Sequence, residues 1–172
     1  MKKYGYALLC FLGLWLAGCA GIPEGVKPVS GFDVNRYLGK WYEIVRLDHP
    51  FERDLEQVTA EYSLREDGDI RVINRGFNIA GQKWQEAEGR AKFVGSPDVG
   101  RLKVSFFGPF YGGYNIVELD PGYQYVMIVG NDRDYLWILS RTPQLAPEIQ
   151  QRLVAKARSL GFATDKLIYV KQ

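Results

Sequence analysis

The chain has 172 residues, with 22 Lys and Arg against 20 Asp and Glu, and a formal net charge of +2. Near-neutrality excludes the basic field that recruits nucleic acid, and one histidine with two cysteines leaves little for a Cys/His metal site. The length suits one domain with a real core, and an aromatic content of 14% supplies apolar surface with polar tips, suited to a large core or a ligand cavity.

Lys2 and Lys3 precede an apolar run from Tyr4 to Leu14, followed by Leu16-Ala17-Gly18-Cys19. A short basic region and a short apolar stretch read as an export signal, and the run falls below the roughly 20 residues that a spanning helix needs. Small residues directly before a cysteine resemble the lipobox of bacterial lipoproteins, in which the thiol takes a diacylglyceryl group and the chain is cut before it. That resemblance implies a signal peptide at 1–18 and a lipidated N-terminus at Cys19. Ala20 stands where an aspartate would resemble an inner-membrane retention signal, so the expected location is the outer membrane, with the domain facing the periplasm. One acyl chain, at about 0.8 kcal/mol per buried methylene, holds only marginally, whereas two or more anchor stably. Cys10 departs with the signal and Cys19 is acylated, so no disulfide is expected. Lys2 and Lys3 depart too, leaving the mature side chains without net charge.

Residues 19–31, with Gly21, Pro23, Gly25 and Pro28 and no apolar periodicity, read as a tether. A single domain is expected over 32–172. Short runs of period-two alternation then recur at about ten-residue spacing, which indicates an all-β sandwich or barrel. The strands are expected at Gly39 to Leu47, Val58 to Arg65, Ile70 to Asn78, Trp84 to Phe93, Arg101 to Phe107, Tyr114 to Leu119, Tyr123 to Gly130 and Tyr135 to Ser140. Asp67-Gly68, Ala80-Gly81, Ser96-Pro97-Asp98, Asp120-Pro121-Gly122 and Asn131-Asp132 supply the turns between them. Ile149, Leu153, Ala157 and Leu160 recur at helical spacing over Pro147 to Leu160, with proline in the first turn and Gly161 as the stop. One helix should pack outside the sheet, and a last strand, Leu167 to Val170, should pair at an edge. Eight antiparallel up-and-down strands suffice to close a barrel, whose interior at that strand number holds one small ligand.

Gly39-Lys40-Trp41-Tyr42 at the start of the first strand resembles the Gly-x-Trp motif of lipocalins, and Arg141 after the eighth resembles their partner arginine. With Leu136-Trp137-Ile138-Leu139-Ser140-Arg141-Thr142-Pro143 and the helix that follows, the resemblance covers about Phe32 to Val170. It is closest to the bacterial outer-membrane members, which are similar to the apolipoprotein D branch. The family's Thr-Asp-Tyr stretch appears as Leu119-Asp120-Pro121, with Tyr123 displaced by one. The resemblance implies that Gly39, Trp41 and Arg141 close the narrow end structurally, the guanidinium lying across the indole in a cation–π contact worth about 0.5 to 2 kcal/mol.

With Trp41 inward, alternation gives the lining. Val58, Ala60, Tyr62 and Leu64 share the apolar face of the second strand, and Ile70, Val72 and Asn74 that of the third. Ala87, Gly89 and Ala91 on the fourth are small and leave room. Val104 and Phe106, Tyr114 and Ile116, Val126 and Ile128, and Tyr135 and Trp137 complete the ring, strengthened by alignment to the lipocalin pattern. The candidate ligand-binding residues are therefore Ala60, Tyr62, Val72, Asn74, Val104, Phe106, Tyr114, Ile116, Val126, Ile128, Tyr135 and Trp137. Apolar walls with a few hydroxyls and one amide suit an organic ligand. The connection Leu47 to Gln57, carrying His49-Pro50-Phe51, falls at the open end as a lid, with Gly108-Pro109-Phe110-Tyr111-Gly112-Gly113 at the same rim.

The expected function is binding of fatty acids or lysophospholipids at the outer membrane, for lipid storage, transport or maintenance, without cofactor, metal or nucleic acid; homodimerisation is left open. The rival classes are a lipid-modifying hydrolase and a structural lipoprotein with a packed core. Glu43 and His49 are the candidate acid/base groups, but nothing resembles a nucleophile elbow or a triad. A paired buried carboxylate and a solvated loop histidine are the simpler expectations for them.

Overall fold

The computed structural model describes residues 21–172. The strands are β1 (Gly39–Arg46), β2 (Leu55–Leu64), β3 (Ile70–Asn78), β4 (Lys83–Phe93), β5 (Arg101–Phe107), β6 (Phe110–Leu119), β7 (Tyr125–Val129), β8 (Leu136–Ser140) and β9 (Ile168–Tyr169). Two helices, α1 (Val34–Tyr37) and α2 (Pro147–Ser159), flank them, with a 3₁₀ turn at Thr164–Lys166. Each strand from β2 to β8 pairs antiparallel with the next, and β1 pairs with both β8 and β2, so eight strands close on themselves. Closure removes the row of unpaired amides that an open sheet presents.

The closure is shared. The lower half of β1 pairs with β2, from Gly39 opposite Tyr62 to Tyr42 opposite Thr59, while its upper end pairs with β9 at Val45 and Arg46. The chain end fills the gap where β2 splays away: the Gln57 amide donates to the Lys171 carbonyl at 2.7 Å, and the Gln172 side chain donates to the carbonyls of Glu43 and Val58.

Two apolar layers result. Inside the barrel, Trp41, Tyr62, Ile70, Val72, Leu102, Ile116, Val126, Ile128 and Leu139 pack with Phe32 and Tyr37. Outside, Ile44, Val45, Val117, Met127, Val129, Leu136 and Ile138 meet Leu153 and Ala157 of α2. A bulge in β1 between Glu43 and Val45 lets Ile44 and Val45 both join the outer layer. Pro147 begins α2 and Gly161, at φ +85°, follows its end, as the sequence pattern requires. The helix is held by Glu118, which accepts from Arg152 at 2.9 Å and from Lys156.

Several expectations need correction. The segment read as a tether is laid along the barrel from Gly21: Val26 is buried, Val29 exchanges backbone hydrogen bonds with Ile116 and Gly100, and Ser30 bridges to Val99. Its backbone donors and acceptors find partners on β6 and the β4–β5 connection, which overrides its turn-rich composition. Leu64, expected inside, is exposed because β2 ends there, past the plug. The sequence reading also missed α1, whose only local signal is Asp33, accepting from the Asn35 amide as an N-cap. β6 begins four residues earlier than expected, extending the β5–β6 hairpin to Phe107 opposite Phe110.

At the narrow end Trp41 is fully buried, and the Arg141 guanidinium carbon lies 3.9 Å from its ring centroid. The indole N–H donates to the Tyr37 carbonyl at 2.8 Å. Gly39 has φ +92°, a left-handed conformation that favours glycine, and a Cβ there would only touch the same guanidinium at 3.5 Å, so the backbone conformation is what calls for glycine. Trp41→Ala is expected to cost about 3–5 kcal/mol, as buried aromatic truncations do; chemical denaturation with an unchanged midpoint would refute the plug.

Candidate functional site

The barrel interior is the candidate site, and each wall contributes in turn. Of the twelve expected lining residues, Tyr62, Val72, Ile116, Val126 and Ile128 lie in the interior core, with Ala60, Val104, Phe106, Tyr114 and Trp137 packed against it. Register explains the grouping: Ala60 stands opposite Asn74 and Asn74 opposite Ala87, while Tyr62 stands opposite Val72 and Val72 opposite Gly89. Paired residues of antiparallel neighbours point to one face. Tyr135 lies just before β8, at the mouth rather than in the wall, its ring stacked on Trp137 at 6.0 Å and equally far from His49. Cys19 falls outside the described residues.

The room expected from small residues is partly taken. A Cβ on Gly89 would lie 2.7 Å from the Phe106 ring, so that ring fills the space the glycine leaves. The described surface also carries a cleft of about 420 Å³ lined by Leu64, Arg65, Glu66, Asp67 and Arg71, and one of about 250 Å³ between α2 and Tyr169. No residue of the interior core lines either.

Toward the narrow end, three tyrosine hydroxyls meet. Tyr114 stands 2.6 Å from the hydroxyl of Tyr37 and 2.8 Å from that of Tyr62. Burial pushes all three phenols above their ordinary value, so they remain neutral donors and acceptors. The Asn74 amide oxygen is buried without a partner in the same interior, an acceptor with unused capacity.

The opposite wall is charged, which the sequence analysis anticipated only in part. Glu43 is buried and accepts from Arg46 at 2.8 Å, as a paired carboxylate should. Arg46 also donates to the Glu52 carbonyl at 2.7 Å. The bulge in β1 makes this arrangement, because it turns both Glu43 and Arg46 inward around the outward Ile44 and Val45. His49 is not a solvated loop residue: it is 3% exposed, its Nε2 2.9 Å from Glu52 Oε2. The Trp137 indole donates to that same oxygen at 3.1 Å. The connection 47–54 is thus folded into the mouth, held by two carboxylates, an arginine and two aromatic nitrogens. Desolvation, with Glu52 repelling, raises Glu43 well above the usual carboxylate value. Burial also opposes the charge on Glu52, but the neighbouring His49 ring, the Trp137 N–H and Arg46 together hold it below that value. No charge pattern along the loop reveals this, since His49 and Glu52 meet Trp137 only through the register of β1 on β8.

Comparison with known proteins places this architecture. A family model described as a lipocalin-like domain matches residues 32–172. The chain is 57% identical to the outer membrane lipoprotein Blc of Citrobacter freundii over 150 residues, covering 87% of this chain and 85% of that protein. It is 52% identical to the outer membrane lipoprotein Blc of Vibrio cholerae over 168 residues, covering 97% of each. Among solved structures, insecticyanin from the tobacco hornworm Manduca sexta superposes with a TM-score of 0.67 at 21% identity, over 88% of this chain and 87% of that one, a likeness of fold. The chain belongs to the lipocalin-like family, and within it is a lipocalin of the outer membrane that binds lipids or other small molecules.

Proposed function

We propose that the barrel holds one single-chain lipid, a fatty acid or a lysophospholipid, and that Cys19 carries the acyl anchor. The observation that carries this reading is the asymmetry of the interior. Val72, Val104, Phe106, Ile116, Val126 and Ile128 form an apolar wall, facing the Arg46, Glu43 and Glu52 cluster beneath the mouth loop. An acyl chain lies along the former and its head group meets the latter. Burial drives binding: each methylene contributes about 0.8 kcal/mol, so about 12 of them supply roughly 10 kcal/mol, of which ordering costs remove half or more. Chain burial alone then leaves about 5 kcal/mol or less, a dissociation constant of about 0.2 mM or weaker, so tighter binding depends on what the head group adds at the charged wall. The loop 47–54 acts as a lid, and ligand access requires its contacts with Trp137 to open.

A packed structural barrel is the competing reading, and the Phe106 ring over Gly89 favours it. Titration decides between them. The delipidated protein is expected to bind fatty acid or lysophospholipid one-to-one with a change in tryptophan emission, and Ala87→Leu to weaken binding at least tenfold. A folded, delipidated sample that responds to neither ligand overturns the lipid reading. Cys19→Ser is expected to move the protein from the outer-membrane fraction to the soluble periplasm.

The lid should respond to pH. Glu52 is held below its ordinary value, so its stabilising share is present above that value and lost as pH falls through the depressed one. Glu43 works in the opposite sense: its share is present below the ordinary carboxylate value and lost as pH rises through its raised one. Acidification below about pH 4, the ordinary carboxylate range, is therefore expected to detach Glu52 from Trp137 and shift the indole emission. In Glu52→Gln that transition should vanish; an identical transition in both proteins would assign it elsewhere.

A further inference from the structure

The unfilled part of the barrel interior lies along one row of residues. Ala87 shares the inner face of β4 with Gly89, while Glu86 and Glu88 point outward to Arg75 and Arg71. Ala87 is nevertheless exposed, and Asn74 and Ala60, level with it on β3 and β2, are partly exposed. Side chains on an inner face that still meet solvent border open space. Phe106 takes the room over Gly89, one step further along the same face, so the space that remains is the row of Ala60, Asn74 and Ala87.

Two polar groups bordering this space carry hydrogen-bonding capacity that the fold leaves unused. The Asn74 amide oxygen is buried without a partner, and the residues opposite it on both neighbouring strands are alanines, which offer no polar group. With no hydrogen bond holding the amide, rotation about its last torsion presents either end to the interior. The second group is the tyrosine cluster. Tyr114 bonds to both Tyr37 and Tyr62, so three hydroxyl protons serve two hydrogen bonds, and in every arrangement one O–H is left over. Tyr37 and Tyr62 are buried, while Tyr114 is partly exposed toward the interior. Tyr62 stands opposite Val72, two residues from Asn74 along β3, a separation of about 7 Å. Burial pushes the Tyr62 phenol up, and Glu52 and Glu43 add to the rise, so the cluster and the charged wall share one interior.

A saturated acyl chain matches neither group. Methylenes neither donate nor accept, so a chain lying over Asn74 and Tyr114 leaves an amide and an O–H unpaired in a dry site, which opposes binding. A hydroxyl on the chain donates to the amide oxygen and accepts from the phenol. We propose that the barrel selects acyl chains carrying a mid-chain hydroxyl, read by Asn74 and by the cluster of Tyr37, Tyr62 and Tyr114. The inference rests on the single-chain lipid reading of the cavity and adds which chain is taken. Depth follows from register: Trp41 shares the row of Asn74 across β2, and Glu43 lies two residues further along β1. A hydroxyl next to the carboxyl therefore meets the charged wall and not Asn74. The selection also has a sign that a purely apolar barrel cannot produce. A hydroxyl makes a chain more comfortable in water, so apolar walls bind the hydroxylated chain more weakly than its parent. Walls that pair with the hydroxyl bind it more tightly, because the parent strands their polar groups.

The test titrates the delipidated protein with dodecanoic acid, with its mid-chain hydroxylated isomers and with the isomer hydroxylated next to the carboxyl, by calorimetry. The expected result is at least fivefold tighter binding of a mid-chain hydroxy acid than of dodecanoic acid, and no gain for the isomer hydroxylated beside the carboxyl. In Asn74→Leu the preference is expected to fall at least threefold; because Asn74 makes no hydrogen bond in the fold, thermal unfolding should match the parent protein. Tyr114→Phe, which removes the hydroxyl linking the other two, is the second variant and should lower the preference in the same direction. Dodecanoic acid bound one-to-one with every hydroxy acid equal or weaker overturns this inference and leaves the lipid reading standing. A preference unchanged in both variants assigns the selection to other residues and overturns it as well. A folded, delipidated protein that binds none of the acids overturns the lipid reading and this inference together.

Discussion

The Arg141 guanidinium takes four backbone carbonyls, those of Arg36, Tyr37, Lys40 and Tyr123, while its face rests on the indole of Trp41. These carbonyls come from α1, the start of β1 and the β6–β7 turn, segments that Arg36 also ties by donating to the Pro121 carbonyl at 2.8 Å and Trp41 by donating to that of Tyr37. A planar fork of donors can satisfy several acceptors and still stack, which an ammonium cannot do. Desolvation lowers its pKa without threatening its charge, because arginine starts so far above physiological pH. With one end locked in this way, the loops at the other end carry little of the burden of holding the barrel together. Variation in such loops on a rigid scaffold is how one fold serves several ligands.

The interior divides its work between two polar centres at different depths. The tyrosine hydroxyls of Tyr37, Tyr62 and Tyr114 bond to one another and stay neutral, so they offer shape and weak polarity. The cluster of Glu43, Arg46, His49 and Glu52 holds real charge in a dry setting, where breaking one partner strands the others. Its members come from a strand and from the loop above it, so the electrostatics of the wall and the position of the loop form one system.

The parts legible in the chain were those set by periodicity. Strands β3 and β5 have the limits expected from alternation alone, and α2 differs by one residue at its end. Trp41 and Arg141 meet as the motif implied, across a hundred residues of sequence. Alternation also placed the apolar lining, because a closed barrel leaves each strand only two faces. What escaped had no periodic signature. The segment 21–31 looks like linker, yet its backbone is claimed by β6 and by the β4–β5 connection. His49 sits among loop residues whose polarity suggests solvent, and its burial follows from partners 85 residues or more away along the chain at Tyr135 and Trp137. The filling of the gap over Gly89 by Phe106 depends on a rotamer, which no count of small residues reveals.

The bulge in β1 has a bearing on how such barrels diversify. Glu43 and Arg46 both face inward only because one surplus residue lies between them, putting Ile44 and Val45 against α2. Without the bulge, the same residues in strict alternation would deliver Val45 to the interior and drive Arg46 into the helix contact. The chemistry of this wall is therefore encoded in strand length as much as in residue identity. A single-codon deletion of Ile44 or Val45 would regularise the strand with Glu43 and Arg46 still inward, and its cost would fall on the outer layer, which loses one side chain against α2.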